Sequence, residues 1–252
     1  MKRFYSKNQN VLICLFIIAF LLCLIFVSGC MPKNNYDRSI RPAGEMVIPR
    51  SMHTATLLKN GTVLITGGNG RYEKHAGSLK QAEIYEPATS LFRLTGEMNY
   101  MRAQHSATLL DDGRVLITGG WGTDPSGSEI YDPNTEKFIK TKPMQIEREF
   151  HAAILLSNGN VLVAGQEPGN VKHLIRAEIY NPEKDIFESV SSLLIPGYSA
   201  WAHFINENVY IVHGVLASTE VEGNPVFGSK YRLKNQSAAI EKYNYQNNSF
   251  SV

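Results

Sequence analysis

The 252-residue chain contains 43% hydrophobic and 19% charged residues. This composition supports one sizeable hydrophobic core and excludes an intrinsically disordered chain. The net charge is +2, but removing Lys2, Arg3 and Lys7 with the first thirty residues leaves 22 basic residues (25 less three) against 23 acidic ones. A near-neutral domain has no electrostatic basis for binding nucleic acid, so we expect no nucleic-acid partner.

The first thirty residues predict an export signal, because a basic start is followed by an uncharged apolar run (11–27) and small residues. Val27-Ser28-Gly29-Cys30 resembles the lipobox of bacterial lipoproteins, which implies a palmitate-bearing lipid anchor on Cys30. The alternative is a short membrane-spanning helix. We expect a signal peptide at 1–30, a linker at 31–48, and an extracytoplasmic protein on the bacterial membrane, the outer one if the envelope has one. All three cysteines (Cys14, Cys23, Cys30) precede the domain, which therefore has no disulfide.

Three stretches align without a gap and each predicts a β-hairpin. They are RSMHTATLLKNGTVLITGG from Arg50, RAQHSATLLDDGRVLITGG from Arg102, and REFHAAILLSNGNVLVAGQ from Arg148. Asn-Gly or Asp-Gly between runs rich in Leu, Val and Ile is typical of a two-residue hairpin turn. The glycine of each pair supplies a positive φ (Gly61, Gly113, Gly159).

A second shared segment follows each hairpin and completes a four-stranded unit. The segments are AEIYEPATSLF (82–92), SEIYDPNTEKF (128–138) and AEIYNPEKDIF (177–187). In each, a strand ends at Tyr, a turn with Pro follows, and Phe lies on a further strand. A fourth, degenerate unit fits the same frame as GYSAWAHFINENVYIVHG (197–214) and IEKYNYQNNSF (240–250), with Gly197 at the Arg position and Ala200 at the His position.

The spacing of the units indicates propeller blades. Gly67, Gly119, Gly165 and Gly214 are 52, 46 and 49 residues apart. The pairs Gly67-Gly68 and Gly119-Gly120, with the EIYDP segment and its trailing aromatic residue, resemble kelch repeats. The resemblance covers residues 40 to 252 and implies an all-β fold, a kelch-type β-propeller at 49–252 with blades at about 50–98, 102–144, 148–194 and 197–252. Kelch propellers usually have six or seven blades, so a closed ring of four, an open arc and a truncated fragment all stay open.

Arg and His recur together at the start of each of the first three units, as Arg50/His53, Arg102/His105 and Arg148/His151. A catalytic site needs unlike groups that converge on one point, whereas identical repeated pairs indicate a structural device. We expect each arginine to pair with the repeated glutamate of its unit (Glu83, Glu129, Glu178). The alternative is that the histidines meet at the channel and bind a metal. The sequence contains no zinc-ligand spacing and no phosphate-binding glycine loop, so we expect no metal and no cofactor.

The long, variable connections predict the binding face. In a four-stranded up-and-down blade the second connection and the link to the next blade lie on one face, and the tight turns lie on the other. We expect binding on the long-loop face through Arg71, Tyr72, Trp121, Asp124, His173, Tyr231 and Arg232. The leading hypothesis is a lipid-anchored binding module for a protein or glycan partner. The alternatives are a sugar-modifying enzyme, which the resemblance implies in the form of a sialic acid mutarotase, and a propeller fragment without independent function.

Overall fold

The structure is a computed structural model that describes residues 44–72, 75–165, 176–194, 197–205, 208–215 and 237–252. Residues 43–252 group into one compact unit by their contacts. The predicted signal peptide, Cys30 and most of the predicted linker lie outside the described residues. Within the described ranges, no helix is long and apolar enough to cross a membrane.

All regular elements of the described residues are β-strands, which confirms the predicted all-β fold. The first half of the domain contains β1 (Arg50–Ser51), β2 (Thr54–Leu57), β3 (Val63–Thr66), β4 (Asn69–Tyr72), β5 (His75–Ser78), β6 (Ala82–Glu86), β7 (Leu91–Leu94), β8 (Arg102–Ala103), β9 (Ser106–Leu109), β10 (Val115–Thr118), β11 (Trp121–Gly122), β12 (Ser128–Asp132) and β13 (Lys137–Lys140). The second half contains β14 (Ala152–Leu155), β15 (Val161–Ala164), β16 (Ala177–Asn181), β17 (Ile186–Val190), β18 (Gly197–Ile205), β19 (Asn208–Val215), β20 (Ser237–Asn244) and β21 (Ser249–Ser251).

Sixteen of these 21 strands form four antiparallel sheets of four strands each, which confirms the four predicted blades, and the other five form two smaller sheets, β1-β4-β5 and β8-β11. Blade 1 is β2-β3-β6-β7, blade 2 is β9-β10-β12-β13, blade 3 is β14-β15-β16-β17, and blade 4 is β18-β19-β20-β21. The first strands of successive blades contact one another, β2 with β9, β9 with β14, and β14 with β18. The chain therefore adds blades in sequence order, as in a propeller.

The hairpin turns correct one detail of the sequence analysis. The Leu58 amide donates to the Thr62 carbonyl (2.8 Å) and the Gly61 amide to the Leu58 carbonyl (3.0 Å). Gly61 has a positive φ of 86°, and Asn60 is not among the residues with positive φ. The loop thus has three residues, a type I turn followed by a glycine bulge. The predicted two-residue Asn-Gly turn would be of type I′, in which both residues need positive φ. The same bonds recur at Gly113 and Gly159.

The repeated Tyr and Phe form one ring contact in every blade. Tyr131 lies opposite Phe138 on neighbouring strands, with ring centroids 4.8 Å apart. The other blades repeat the contact at 4.7 to 4.9 Å (Tyr85–Phe92, Tyr180–Phe187, Tyr243–Phe250). We call the sheet face that carries this pair the aromatic face, and the opposite face the aliphatic face.

The aromatic faces of blades 2, 3 and 4 each pack against the aliphatic face of the preceding blade. Between blades 1 and 2, Leu64 and Ile84 of the aliphatic face pack with Val115, Ile117 and Tyr131 of the aromatic face, and all five are at most 2% exposed. The equivalent residues form two further clusters, between blades 2 and 3 and between blades 3 and 4. The hydrophobic core is therefore a series of equivalent layers between sheets.

Candidate functional site

The repeated arginines form buried ion pairs with the glutamates named in the sequence analysis. Arg102 Nη2 donates to Glu129 Oε1 at 3.0 Å, and both side chains are at most 1% exposed. Arg102 Nη1 also donates to the carbonyl oxygens of Gly119 (2.5 Å) and Gly127 (3.1 Å). Burial lowers the pKa of Arg102, and the charge of Glu129 opposes that shift. The guanidinium therefore donates to acceptors within its own blade.

The same arrangement recurs in two other blades. The Arg50–Glu83 and Arg148–Glu178 ion pairs have lengths of 2.7 and 3.0 Å, and all four side chains are 0% exposed. In each of the three blades the second carboxylate oxygen accepts a bond from a backbone amide of the segment that leads into the blade, at 2.7 to 2.8 Å (Val47, Asn99, Gln145). The pair therefore holds the incoming chain against the sheet.

The repeated histidines connect neighbouring blades. His105 of blade 2 shares a hydrogen bond through Nε2 with Thr66 Oγ1 of blade 1 at 2.9 Å, and His151 of blade 3 does so with Thr118 Oγ1 of blade 2 at 2.9 Å. Burial lowers the pKa of His105 well below its ordinary value and that of His151 to about 3. Both imidazoles are therefore neutral at physiological pH, so neither titrates as a general acid or base there.

The glycine pairs explain how closely the blades approach. Gly119 and Gly120 both have positive φ, 59° and 95°, and the Gly120 amide donates to the Arg148 carbonyl of the next blade at 2.7 Å. A Cβ on Gly119 would lie 2.6 Å from that carbonyl oxygen and 2.8 Å from the His151 ring. Only glycine fits both the backbone conformation and the contact.

Blade 4 replaces the arginine with a histidine, which the sequence reasoning missed. His213 Nε2 bonds Glu241 Oε1 at 3.0 Å, and both side chains are 0% exposed. Ile211 pairs with Glu241 as Ile65 pairs with Glu83, so His213 takes the position of Gly67 and Gly214 that of Gly68. The predicted gap-free alignment of the fourth unit is therefore wrong beyond its hairpin turn, because blade 4 has one residue fewer at that turn. The predicted equivalence of Gly214 with Gly67 is wrong for the same reason.

The second connection of blade 1 is a hairpin and not an irregular loop. β4 pairs with β5 and with β1, which extends the blade by a three-stranded sheet. Arg71 is exposed and Tyr72 is half-buried on β4. Ser78 Oγ donates to the Trp121 carbonyl at 3.1 Å, and Trp121 is 43% exposed. The structure thus brings the connection with Arg71 and Tyr72 next to the one with Trp121.

Asp124 has a different environment from the other predicted binding residues. Its Oδ1 accepts bonds from the Ser126 amide (3.2 Å), the Ser126 hydroxyl (2.9 Å) and the Gly127 amide (2.9 Å). The carboxylate therefore shapes its own loop. His173, Tyr231 and Arg232 lie outside the described residues.

A cavity of about 340 Å³ lies on the opposite face, between the tight turns of blades 2 and 3. Sequence reasoning did not predict it, because it depends on how neighbouring turns sit side by side. It is lined by carboxylates and amides, among them Asp111, Asp112, Asn158, Asn160, Asn181 and Glu183. Among the residues that the structure describes, no group of three or more His, Cys, Asp or Glu side chains is placed to hold a metal ion.

Comparison with known proteins supports the fold. No protein-family model and no curated protein sequence matches the chain. Among solved structures it is similar to YjhT, with a TM-score of 0.55 and 13% sequence identity over 67% of this chain. The chain spans about 60% of the length of YjhT. At this level of identity the similarity shows a shared β-propeller-like fold and nothing about the ligand.

Proposed function

We propose that the protein is a kelch-type propeller that serves as an extracytoplasmic binding module. In this proposal Cys30 carries the lipid anchor, and the long-loop face binds a protein or glycan partner through the β4–β5 hairpin and Trp121. The proposed surface, which we call the loop patch, consists of Arg71, Tyr72 and Trp121.

The observation that carries this proposal is that the repeated polar residues are buried in contacts within and between blades, whereas the unrepeated residues of the connections are exposed. Arg102 and Glu129 form a buried ion pair within blade 2, and buried His105 bonds Thr66 of blade 1. Arg148, Glu178 and His151 repeat these contacts in blade 3. Arg71 and Trp121, by contrast, are exposed on connections that a rigid sheet positions. Exposed aromatic and arginine side chains on such connections are the residue types that dominate binding surfaces.

The same observation disfavours a sugar-modifying enzyme that uses the repeated histidines. Such an enzyme needs a general acid and base with pKa values near the working pH. His105 and His151 are buried, and burial holds their pKa values far below that range. The binding module is therefore the better-supported function for the described residues.

Site-specific photo-crosslinking in intact cells tests the loop patch. A photo-reactive residue replaces Arg71 or Trp121 in the full-length chain, and the matched control replaces Lys184, which is exposed on a tight turn. We expect a discrete adduct from both loop positions and none from Lys184. Adducts of equal yield from Lys184, or from Lys184 alone, would place the binding surface on the other face.

A glycan array probed with the detergent-solubilised full-length chain tests whether the partner is a glycan. The variant Arg71→Ala/Tyr72→Ala/Trp121→Ala should weaken any specific binding about 30-fold or more, since one binding hot spot contributes about 2 kcal/mol. Lys184→Ala is the matched control. Unchanged binding by the triple variant would contradict the proposal.

Lipidation has its own test. Labelling cells with a palmitate analogue should modify the natural chain and leave Cys30→Ser unlabelled. Equal labelling of the two chains, or no labelling of either, would contradict the proposed anchor.

A further inference from the structure

The three blade-to-blade contacts are all of one kind. The aliphatic face of one blade packs against the aromatic face of the next, with Leu64 against Tyr131 in the first contact and Leu116 against Tyr180 in the second. The two surfaces are different and complementary. A contact of this kind is directional, so a row of blades ends in one aromatic face and one aliphatic face.

The aromatic face of blade 1 is exposed where its equivalents are covered. Leu57 is 63% exposed and Leu94 is 41% exposed. Leu109, at the position of Leu57 in blade 2, is half-buried against blade 1. Tyr85 is also only half-buried, whereas the tyrosines at its position in the other blades are at most 1% exposed.

The aliphatic face of blade 4 is exposed as well. Trp201, Ile205 and Ile240 are 61%, 53% and 56% exposed on one face of the sheet. In blade 3 the residues at the positions of Trp201 and Ile240 are Ala152 (6% exposed) and Ala177 (0% exposed), which blade 4 covers. Large apolar side chains grouped on an exposed sheet face mark a contact surface.

We propose that these two end faces bind each other between two copies of the chain, head to tail. The contact continues the interface that the chain already makes three times, with blade 4 of one copy against blade 1 of the other. The described blades of two copies joined at both ends number eight, and β-propellers typically have four to eight blades. This closed arrangement leaves no end face uncovered. The inference is independent of the proposed ligand.

Solution mass tests the assembly. The natural protein, purified in detergent because of the proposed lipid anchor on Cys30, should have twice the protein mass of one chain by light scattering, independent of concentration. Leu57→Glu and Ile240→Glu should each reduce the mass to that of one chain. Ile139→Glu is the matched control, because Ile139 is 58% exposed on the outer strand of an interior blade, and it should stay dimeric. A single-chain mass for the natural protein, or a mass that grows with concentration, would overturn the proposal.

Mixing the two end-face variants distinguishes a head-to-tail contact from a contact between like faces. The Leu57→Glu chain keeps an intact blade 4 face, and the Ile240→Glu chain keeps an intact blade 1 face. An equimolar mixture should therefore recover dimers through one intact interface. If one variant stays dimeric alone, or if the mixture stays monomeric, the contact is not head to tail.

Cross-linking keeps the test independent of how the charged variants fold. Differently tagged chains that carry Leu57→Cys and Ile240→Cys should be joined by a short bismaleimide, above the background of the natural chain. A chain that carries both cysteines should give a mixed-tag product as well. A product with the mass of one cross-linked chain would mean that blades 1 and 4 meet within one copy, which would overturn the proposal.

Discussion

Removing Arg102 should destabilise the domain strongly without any ligand being involved. In Arg102→Ala the Glu129 carboxylate, 0% exposed, keeps only bonds from Asn99, and the Gly119 and Gly127 carbonyls lose their side-chain donor. Breaking a buried ion pair on one side costs about 3–5 kcal/mol. In a domain of this size each kcal/mol lowers Tm by about 2–4 °C, so we expect a decrease of about 6–20 °C.

The assay is thermal unfolding of the full-length chain in detergent, followed by far-ultraviolet circular dichroism. The control is Arg114→Ala, because Arg114 forms an ion pair of 2.7 Å with Asp112 on the surface, with side chains 39% and 47% exposed. Such a pair contributes at most about 1 kcal/mol, which corresponds to a decrease in Tm of about 4 °C or less. If the two variants gave equal, small decreases, the assignment of the repeated arginines to the scaffold would be refuted.

Three further predictions concern the contacts between blades. Unfolded His151 takes up a proton near pH 6.5 and the folded residue only near pH 3, so stability should fall as pH falls through that window. Urea titrations should show that the free energy of unfolding falls between pH 7 and pH 4.5 by about 2–3 kcal/mol less in His151→Gln than in the natural chain. Equal decreases would mean that the imidazole is not buried. Gly119→Ala should lower the free energy of unfolding by about 2–5 kcal/mol. The control Gly113→Ala should lower it by only about 1–2 kcal/mol, because only the flexible Lys59 side chain is near. Similar losses in the two variants would contradict the close approach at Gly119. Ala164 and Ala200 lie in one cluster, at the positions where earlier blades carry the bonded Thr and His. A double-mutant cycle of Ala164→Thr and Ala200→His should therefore show a favourable coupling of about 0.5–1.5 kcal/mol. Additive effects would argue that Ala164 and Ala200 are not equivalent to that Thr and His.

The repeats made the blades predictable from the sequence. A residue that recurs at the same position of each unit, such as the Tyr before the Pro-containing turn, indicates the same local structure in three or four places. The four sheets, the placement of Tyr131 and Phe138 on strands joined by a turn, and the positive φ of Gly113 follow from that pattern. The ring contact between Tyr131 and Phe138 was found in the structure. The turn type did not follow, because Asp-Gly fits both a two-residue turn and a three-residue loop with a glycine bulge.

The features that occur once were not predictable in the same way. The bond between His213 and Glu241 depends on a one-residue shortening of blade 4, which a gap-free comparison hides. The use of Asp124 within its own loop and the cavity beside Asn158 depend on how connections of neighbouring strands are placed. Exposure of Trp201 is likewise a consequence of which blade stands next to it and not of the local sequence.

The repeated arginines, glutamates and histidines of blades 2 and 3 form buried contacts within and between blades. The most direct measurement is a nitrogen-15 NMR titration of histidine-labelled protein between pH 8 and 5, with His105 and His151 assigned through His→Gln variants. We expect both imidazoles to stay neutral, each in a single tautomer, over the whole range, because burial holds their pKa values below it. Titration of either ring with a pKa between 6 and 7 would contradict its burial and would make it a candidate general acid or base.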